Sequence, residues 1–480
     1  MSAAKRTAAV AIAATLAVAL GMIVAPWWGH VDDGDAHLYR VVARHMVEDG
    51  TWFDLRYLPG AHARFREHLP FGLWPYALAI RIFGEASLPW IGAFFTLSTV
   101  GVVLVTGWRM AGPAAGIVSA LVLSTTESFA LYGGRERLDP PLVLFAALSM
   151  MPLLAWPLNR RTLAISAGFG AAAALVKGPF GLVGVFAAAG ARALQQRTPR
   201  SAAKLAIVVA LSAAPVVGFL LWSRWRGDRT WWDGFLIGQL WASATGGRMD
   251  GSLSPWFPVS TLMRRFWPGL PLVAVGAYAA VRGAPKQTRE LRLLAVAAAL
   301  VVAALCLPAR KLWNHALVVY PLLALLGGVA VAPFLERRLQ GSLRARAAAA
   351  VGALAAAVWI AVIAGAGRRW LQPPCIPAGP VEEVVGRLRP GEELLVVSSP
   401  VDWSLVAALA SERRVVPWPV ENAAGGIPEG SRPRLALVSG RQADRAPSRW
   451  REVARSPEWV ALVPPEASAE SPGGARARAQ

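Results

Sequence analysis

The chain has 480 residues, 55% of them hydrophobic and 16% charged, with a formal net charge of +20. This balance and a positive mean hydropathy exclude an ordinary soluble domain and point to an all-α polytopic membrane protein; the long apolar runs exclude a β-barrel, whose strands would be short and alternating. The basic residues sit mostly in short loops between apolar runs, without a nucleic-acid-binding motif, so their pattern is that of membrane orientation and nucleic acid is excluded as a partner.

The opening "MSAAKRTAAVAIAATLAVALGMIVAPWWGH" has a basic start at Lys5 and Arg6, and Ala17-Val18-Ala19 imitates a cleavage site. Its apolar run continues to Trp28, too long for a signal-peptide core, so it reads as a retained first span. About eleven spans are expected, at 7–28, 87–107, 113–132, 140–157, 162–176, 180–194, 204–222, 259–281, 291–307, 315–334 and 347–366. The fifth and sixth are short and flank "LVKGPFG", which leaves two spans or one broken helix open.

With the N-terminus in the cytoplasm, alternation places "LNRR" (158–161), "RALQQRTPRSAAK" (192–204), "RGAPKQTRELR" (282–292) and "ERRLQGSLRARA" (336–347) inside, and each is basic, as the positive-inside rule requires. The outer loops, above all 29–86 and 223–258, are longer and richer in Trp, Asp and Pro, which suggests one site at that face. The transmembrane domain is taken as 1–372. Residues 373–465 read as a small outer α/β domain, in which "PVEEVVGRLRPGEELLVVSS" is helix, turn and strand, the pattern repeats through "RRVVPW", and "RLALVS" adds a strand. The tail 466–480 has a disordered composition. The two cysteines, Cys306 and Cys375, are not expected to pair and are too few for a cysteine metal cluster.

Four stretches carry charge where chemistry needs it. "DGDAHLYRVVARHMVEDG" places Leu38, Val41, Val42 and Met46 at helical spacing, an interfacial amphipathic helix that starts at Asp35 and stops at Gly50. Asp35 there is an N-cap, an oriented catalytic carboxylate, or both. "GGRERLDPPLVLF" brings Arg137 and Asp139 to a helix start, as a cap or as a second acid of the same cleft. Lys177 in "AALVKGPFGL" is a snorkelling turn residue or a cation aimed at an anionic ligand. "PARKLWNHALVVYPLLALL" and the Trp-rich segment before it add Arg310, Lys311, His315, Tyr320 and Arg248. Acids and cations at one membrane face suit glycosyl transfer from a lipid-linked sugar phosphate: Lys and Arg hold the phosphate, and an aspartate deprotonates the attacking hydroxyl.

On these residues the chain resembles the polyprenyl-phosphate-sugar glycosyltransferases of the GT-C fold, which include the lipid A aminoarabinose transferases and the protein O-mannosyltransferases. The likeness runs over residues 7–335. It rests on Asp35-Ala36 with Tyr39 and "ARHMVEDGTW" (43–52), on "REHLPFGLWPYALAIRIFGE", "RERLDPPLVLF" and "LVKGP", and on "SPWFP…WPGLPL" and "RKLWNHALVVYPLLALL". Ala36 stands where the family usually has a second acid, and His68 where it usually has a lysine. The resemblance implies an inverting transfer with Asp35 as base and Asp139 as the second acid. It implies donor contacts from Tyr39, Glu67, His68, Arg137, Lys177, Lys311 and Tyr320, to which the Trp-rich segment adds Arg248 as a candidate. The donor is a polyprenyl phosphate sugar such as that of undecaprenyl phosphate. The acceptor is a lipid A-like lipid, a protein or another envelope glycan. Some relatives bind a divalent cation, although the sequence has no dedicated metal cage. The expected place is the bacterial inner membrane, with the C-terminal domain periplasmic. A lipid-linked sugar flippase and a non-catalytic family member are the alternatives. Charges gathered at one face, with no internal repeat, favour the enzyme over a transporter.

Overall fold

The protein is described from a computed structural model, over residues 3–24, 34–57, 64–247, 251–282, 285–338, 379–389, 392–397, 409, 414–418, 433–445, 449–456 and 459–463. The expected eleventh span (347–366), the tail 466–480, Arg248 and Cys375 lie outside these residues. The chain divides into two compact units, 1–28 with 66–367, and 29–65 with 368–480. A single cut at residue 372 would leave 29–65 in the first unit; by contact it groups with the second.

The first unit is helical. Its helices are α1 (Ala3–Val24), α3 (Trp74–Phe83), α4 (Leu88–Ala111), α5 (Pro113–Ser124), α6 (Glu127–Gly133), α7 (Asp139–Ala155), α8 (Arg160–Lys177), α9 (Pro179–Gln196) and α10 (Pro199–Trp225). A π-helix (Trp232–Trp241) runs into the short α11 (Ala242–Thr245), followed by α12 (Phe257–Arg265), α13 (Leu270–Arg282), α14 (Pro285–Cys306), a 3-10 helix (Trp313–Val319) and α15 (Tyr320–Arg338). Among the described residues three stretches suffice by length and composition to cross a membrane: Glu85–Ala111, Pro199–Trp225 and Trp313–Arg337. The pair α5–α6 makes a fourth if its 71° bend lies within one span.

Several of the other expected spans are shorter, broken or charged among the described residues, and the reasons are local. The expected span 113–132 breaks at Thr125 and Thr126, whose hydroxyls bond back to the carbonyls of Leu121 and Val122. The expected span 259–281 is interrupted by the turn Trp267–Gly269. α7 is only 17 residues long, and α8 carries Arg160, Arg161 and Lys177. The apolar segments around "KGP" are two helices, α8 and α9, packed on each other.

Small residues set the helix spacing. A Cβ at Gly116 would meet the Leu104 carbonyl and Trp108 of α4, one at Gly276 would meet Leu326 of α15, and one at Gly181 would meet the Ala173 backbone of α8. Without a hydrophobic drive between helices in lipid, such close backbone approach supplies the packing. The connections sort into two ends. Gly112, between α4 and α5, faces the Glu336 carboxylate near the end of α15, and Gln195 near the end of α9 bonds the Arg289 carbonyl of α14. At the other end, Gly72 packs on Leu138 and Val176, Phe235 of the π-helix packs on Gly178, and Asn314 reaches Asp139.

The second unit contains α2 (Gly34–Glu48), which follows the expected amphipathic pattern. Val41, Val42 and Met46 are buried, with Ala36, Tyr39 and Ala43, while Leu38 is half-buried. Beyond it, α16 (Pro380–Gly386) precedes a five-stranded sheet: β1 (Glu393–Val397), β2 (Arg414–Trp418), β3 (Pro433–Ser439), β4 (Arg451–Arg455) and β5 (Trp459–Val463), in the order β2-β1-β3-β5-β4. β1 is parallel to β2 and β3, and β5 is antiparallel to β3 and β4. Leu395, Val397, Ala436, Val438, Val460 and Leu462 are in register on one face, with Trp450 packed against them. Pro417 lies on the edge strand β2, where a missing N–H costs no ladder bond.

Candidate functional site

The start of α7 explains why Asp139 is not a cap. Pro140 and Pro141 occupy the first turn. Neither has an N–H, so the helix start has fewer free donors for a carboxylate to satisfy. The residue in the cap position is Leu138. The Asp139 side chain, 2% exposed as a residue, instead meets three donors. Arg137 Nε donates to Oδ2 at 3.0 Å, Lys177 Nζ donates to Oδ1 at 2.7 Å, and Asn314 Nδ2 lies 3.3 and 3.2 Å from the two oxygens. In apolar surroundings an ion pair persists only when its remaining hydrogen-bonding capacity is also met, and here Asn314 meets it.

Lys177 arrives there because α8 ends at it. Gly178 adopts φ 61° and ψ −143°, a conformation open in practice only to glycine, and Pro179 then starts α9. The space beside Gly178 is taken by the Phe235 ring, which a Cβ would approach to 2.5 Å. Backbone strain and ring overlap therefore add. Gly178→Ala is expected to destabilise the fold by roughly 1–3 kcal/mol, measured as a lowered unfolding midpoint in detergent micelles.

Arg137 is pinned at three points. Its Nε holds Asp139, its guanidinium lies 4.9 Å from the centre of the Tyr132 ring, and its carbonyl accepts the Tyr76 hydroxyl at 2.6 Å. Burial, then the negative charges of Glu136 and Asp139, push the Tyr76 phenol well above its ordinary range, with Arg137 opposing them. Tyr76 therefore stays protonated and serves as a donor. Lys311 is buried, and its ammonium meets the Ala309 carbonyl at 3.3 Å. Its backbone pairs with Ser252 at 2.9 and 3.0 Å. Arg310 donates to the carbonyls of Gly246 and Gly251, so it ties down the loop after α11.

Of the residues expected from sequence, Arg137, Asp139 and Lys177 form one cluster, and Lys311 lies three residues before its fourth member, Asn314. Tyr320 is fully buried elsewhere in the same unit, with its hydroxyl 3.2 Å from Ser128 and its ring on Phe266. Glu67 is exposed and His68 half-buried, just before the turn Pro70–Gly72. Asp35 and Tyr39 belong to the second unit; Asp35 is exposed in the first turn of α2, which begins one residue earlier, and Tyr39 is buried. Sequence reasoning missed Asn314, Tyr76 and Tyr132. Asn314 had one signal, an amide beside a charged turn and ahead of an apolar run. Among the described residues, no three His, Cys, Asp or Glu side chains come together as a metal site.

No protein-family model matches the chain, and no curated protein sequence matches it. Solved structures do match by shape. ArnT from Cupriavidus metallidurans bound to undecaprenyl phosphate aligns with a TM-score of 0.70 at 19% identity, over 98% of this chain and 99% of that one. Its apo state aligns at 0.68 and 19%, over 96% and 98%. The archaeal oligosaccharyltransferase AglB from Archaeoglobus fulgidus, in complex with an inhibitory peptide and a dolichol-phosphate, aligns at 0.55 and 12%, over 92% and 70%. The chain thus has the GT-C fold over nearly its whole length.

Proposed function

We propose, from the GT-C fold shared with these structures, that the chain is an integral-membrane inverting glycosyltransferase. It moves a sugar from a polyprenyl phosphate to an acceptor hydroxyl on the periplasmic face of the bacterial inner membrane. The observation that carries this reading is the buried Arg137–Asp139–Lys177 cluster, gathered with Asn314 where several connections of an apolar helical unit meet. A lipid with a phosphate head needs both features, an apolar flank and a fixed cation.

In this reading Asp35 takes the proton from the acceptor hydroxyl. The hydroxyl oxygen forms a bond to the anomeric carbon from the face opposite the phosphate, the carbon–phosphate-oxygen bond breaks, and polyprenyl phosphate leaves with the electron pair. Lys177, Arg137 and Lys311 stabilise the charge that builds on the leaving phosphate. Asp139, with both oxygens already occupied, positions Arg137 and Lys177. ArnT was crystallised with undecaprenyl phosphate, and the same class of lipid is the donor carrier proposed here. The acceptor is a lipid A-like lipid, a protein or another envelope glycan. Eleven spans, a cytoplasmic N-terminus and a periplasmic C-terminal domain complete the proposal.

The test is purified protein in lipid nanodiscs with a radiolabelled polyprenyl-phosphate sugar, beside mass spectrometry of envelope glycans from cells with and without the protein. The expected result is label transferred to a glycan, release of free polyprenyl phosphate, and donor affinity reduced about 10- to 100-fold by Lys177→Ala, the range of a hydrogen bond to a charged group. Donor that crosses a bilayer intact would make the protein a flippase instead.

A further inference from the structure

The cluster around Asp139 is supported from a direction that the transfer reaction does not require. Arg265, at the end of α12, places its guanidinium 4.1 Å from the centre of the Trp313 ring. Trp313 packs on Tyr132 with ring centres 4.6 Å apart, and Tyr132 carries the Arg137 guanidinium at 4.9 Å. Arg137 then binds Asp139, which binds Lys177. Cation, ring, ring, cation, carboxylate and cation thus follow one another from α12 to the end of α8. The residue after Trp313 is Asn314, whose amide reaches the same carboxylate. One dipeptide, Trp313-Asn314, therefore supports the cluster twice, once through the rings and once directly.

We infer that Arg265, Trp313 and Tyr132 form a positioning ladder that fixes Arg137, and through Asp139 fixes the Lys177 ammonium. The Trp313 ring is engaged by Arg265 and by Tyr132, which suits a support rather than a ligand platform. A cation–π contact gains when its partners are held and desolvated, and Trp313 holds the Tyr132 ring. Arg137 lies in the short link between α6 and α7, and its backbone is tied by the Tyr76 hydroxyl. Trp313 and Arg265 lie on separate elements far along the chain, so they brace this link against the rest of the unit.

Two readouts on the full chain in nanodiscs test the ladder. The first is independent of function: the rate at which an amine-reactive acylating reagent modifies Lys177, followed by mass spectrometry, with the exposed Lys204 as internal control. Trp313→Leu and Arg265→Met are expected to raise Lys177 modification about three- to thirtyfold, the span from an exposed to a desolvated cation–π contact, with the control unchanged. Trp313→Phe, which keeps a ring, is expected to restore protection. The second readout rests on the glycosyltransferase reading: the affinity for undecaprenyl phosphate, expected to fall by a similar factor in the same two variants and to recover in Trp313→Phe. Equal Lys177 protection in all three variants would overturn the ladder. A wild-type protein that fails to bind undecaprenyl phosphate, while Lys177 protection still falls in Trp313→Leu, would sink the functional reading and leave the ladder standing.

Discussion

Asp139→Leu is expected to cost about 3–5 kcal/mol of stability, the usual consequence of removing one partner from a buried ion pair. The wild-type carboxylate satisfies three donors at once, from Arg137, Lys177 and Asn314. Leucine leaves two cations and an amide facing a hydrocarbon side chain. Asp139→Asn is nearly isosteric but does little better, because its NH2 would point at groups that are themselves all donors. The informative partner is Lys177→Met. Together with Asp139→Leu it removes the ammonium along with its counter-ion, and apolar replacement of a buried pair is often neutral or stabilising. The double variant is therefore expected to regain a large part of the lost stability and none of the transfer activity. Unfolding midpoints of the two singles and the double, measured in one detergent, give the coupling directly. A double variant as unstable as the sum of the singles would mean that Asp139 and Lys177 act independently.

How much of this was legible in the sequence depends on the range of each interaction. The periodicity of α2 and the break at Lys177-Gly178-Pro179 are local, and both stand where the residues put them. The strands β1, β2 and β3 are apolar and were also readable, whereas β4 is the polar segment "REVAR" at a sheet edge and offers no apolar run to find. The bend between α5 and α6 was hidden because its cause is a pair of threonines inside a continuously apolar stretch. The cluster was half legible. Arg137 and Asp139 are two residues apart, but Asn314 lies 175 residues from the carboxylate it holds. No spacing rule reaches that far, and the same holds for Trp313 on Tyr132. Tyr320 shows the opposite failure: a tyrosine near charged residues in sequence points into the packed interior, to Ser128.

Asp35→Asn is expected to reduce transfer by about 100- to 10,000-fold, the usual worth of a general base, with stability lowered by no more than about 1 kcal/mol. The expectation follows from its setting. Asp35 is exposed in the first turn of α2, where a charge interacts favourably with the helix dipole. Asparagine keeps the size and the ability to accept hydrogen bonds, and loses the charge and with it the capacity to take a proton. Asp35→Glu keeps that capacity on a side chain one methylene longer, so it is expected to retain more activity than asparagine and less than the wild type. Single-turnover rates with a labelled polyprenyl-phosphate sugar, together with donor affinity, separate the proton transfer from binding: the rate falls and the affinity holds. The two aspartates are then told apart by what each loses. Removal of Asp139 acts on stability and donor binding together, because two buried cations depend on it. Removal of Asp35 acts chiefly on the rate. An Asp35→Asn protein that turns over at the wild-type rate would leave the base to another residue.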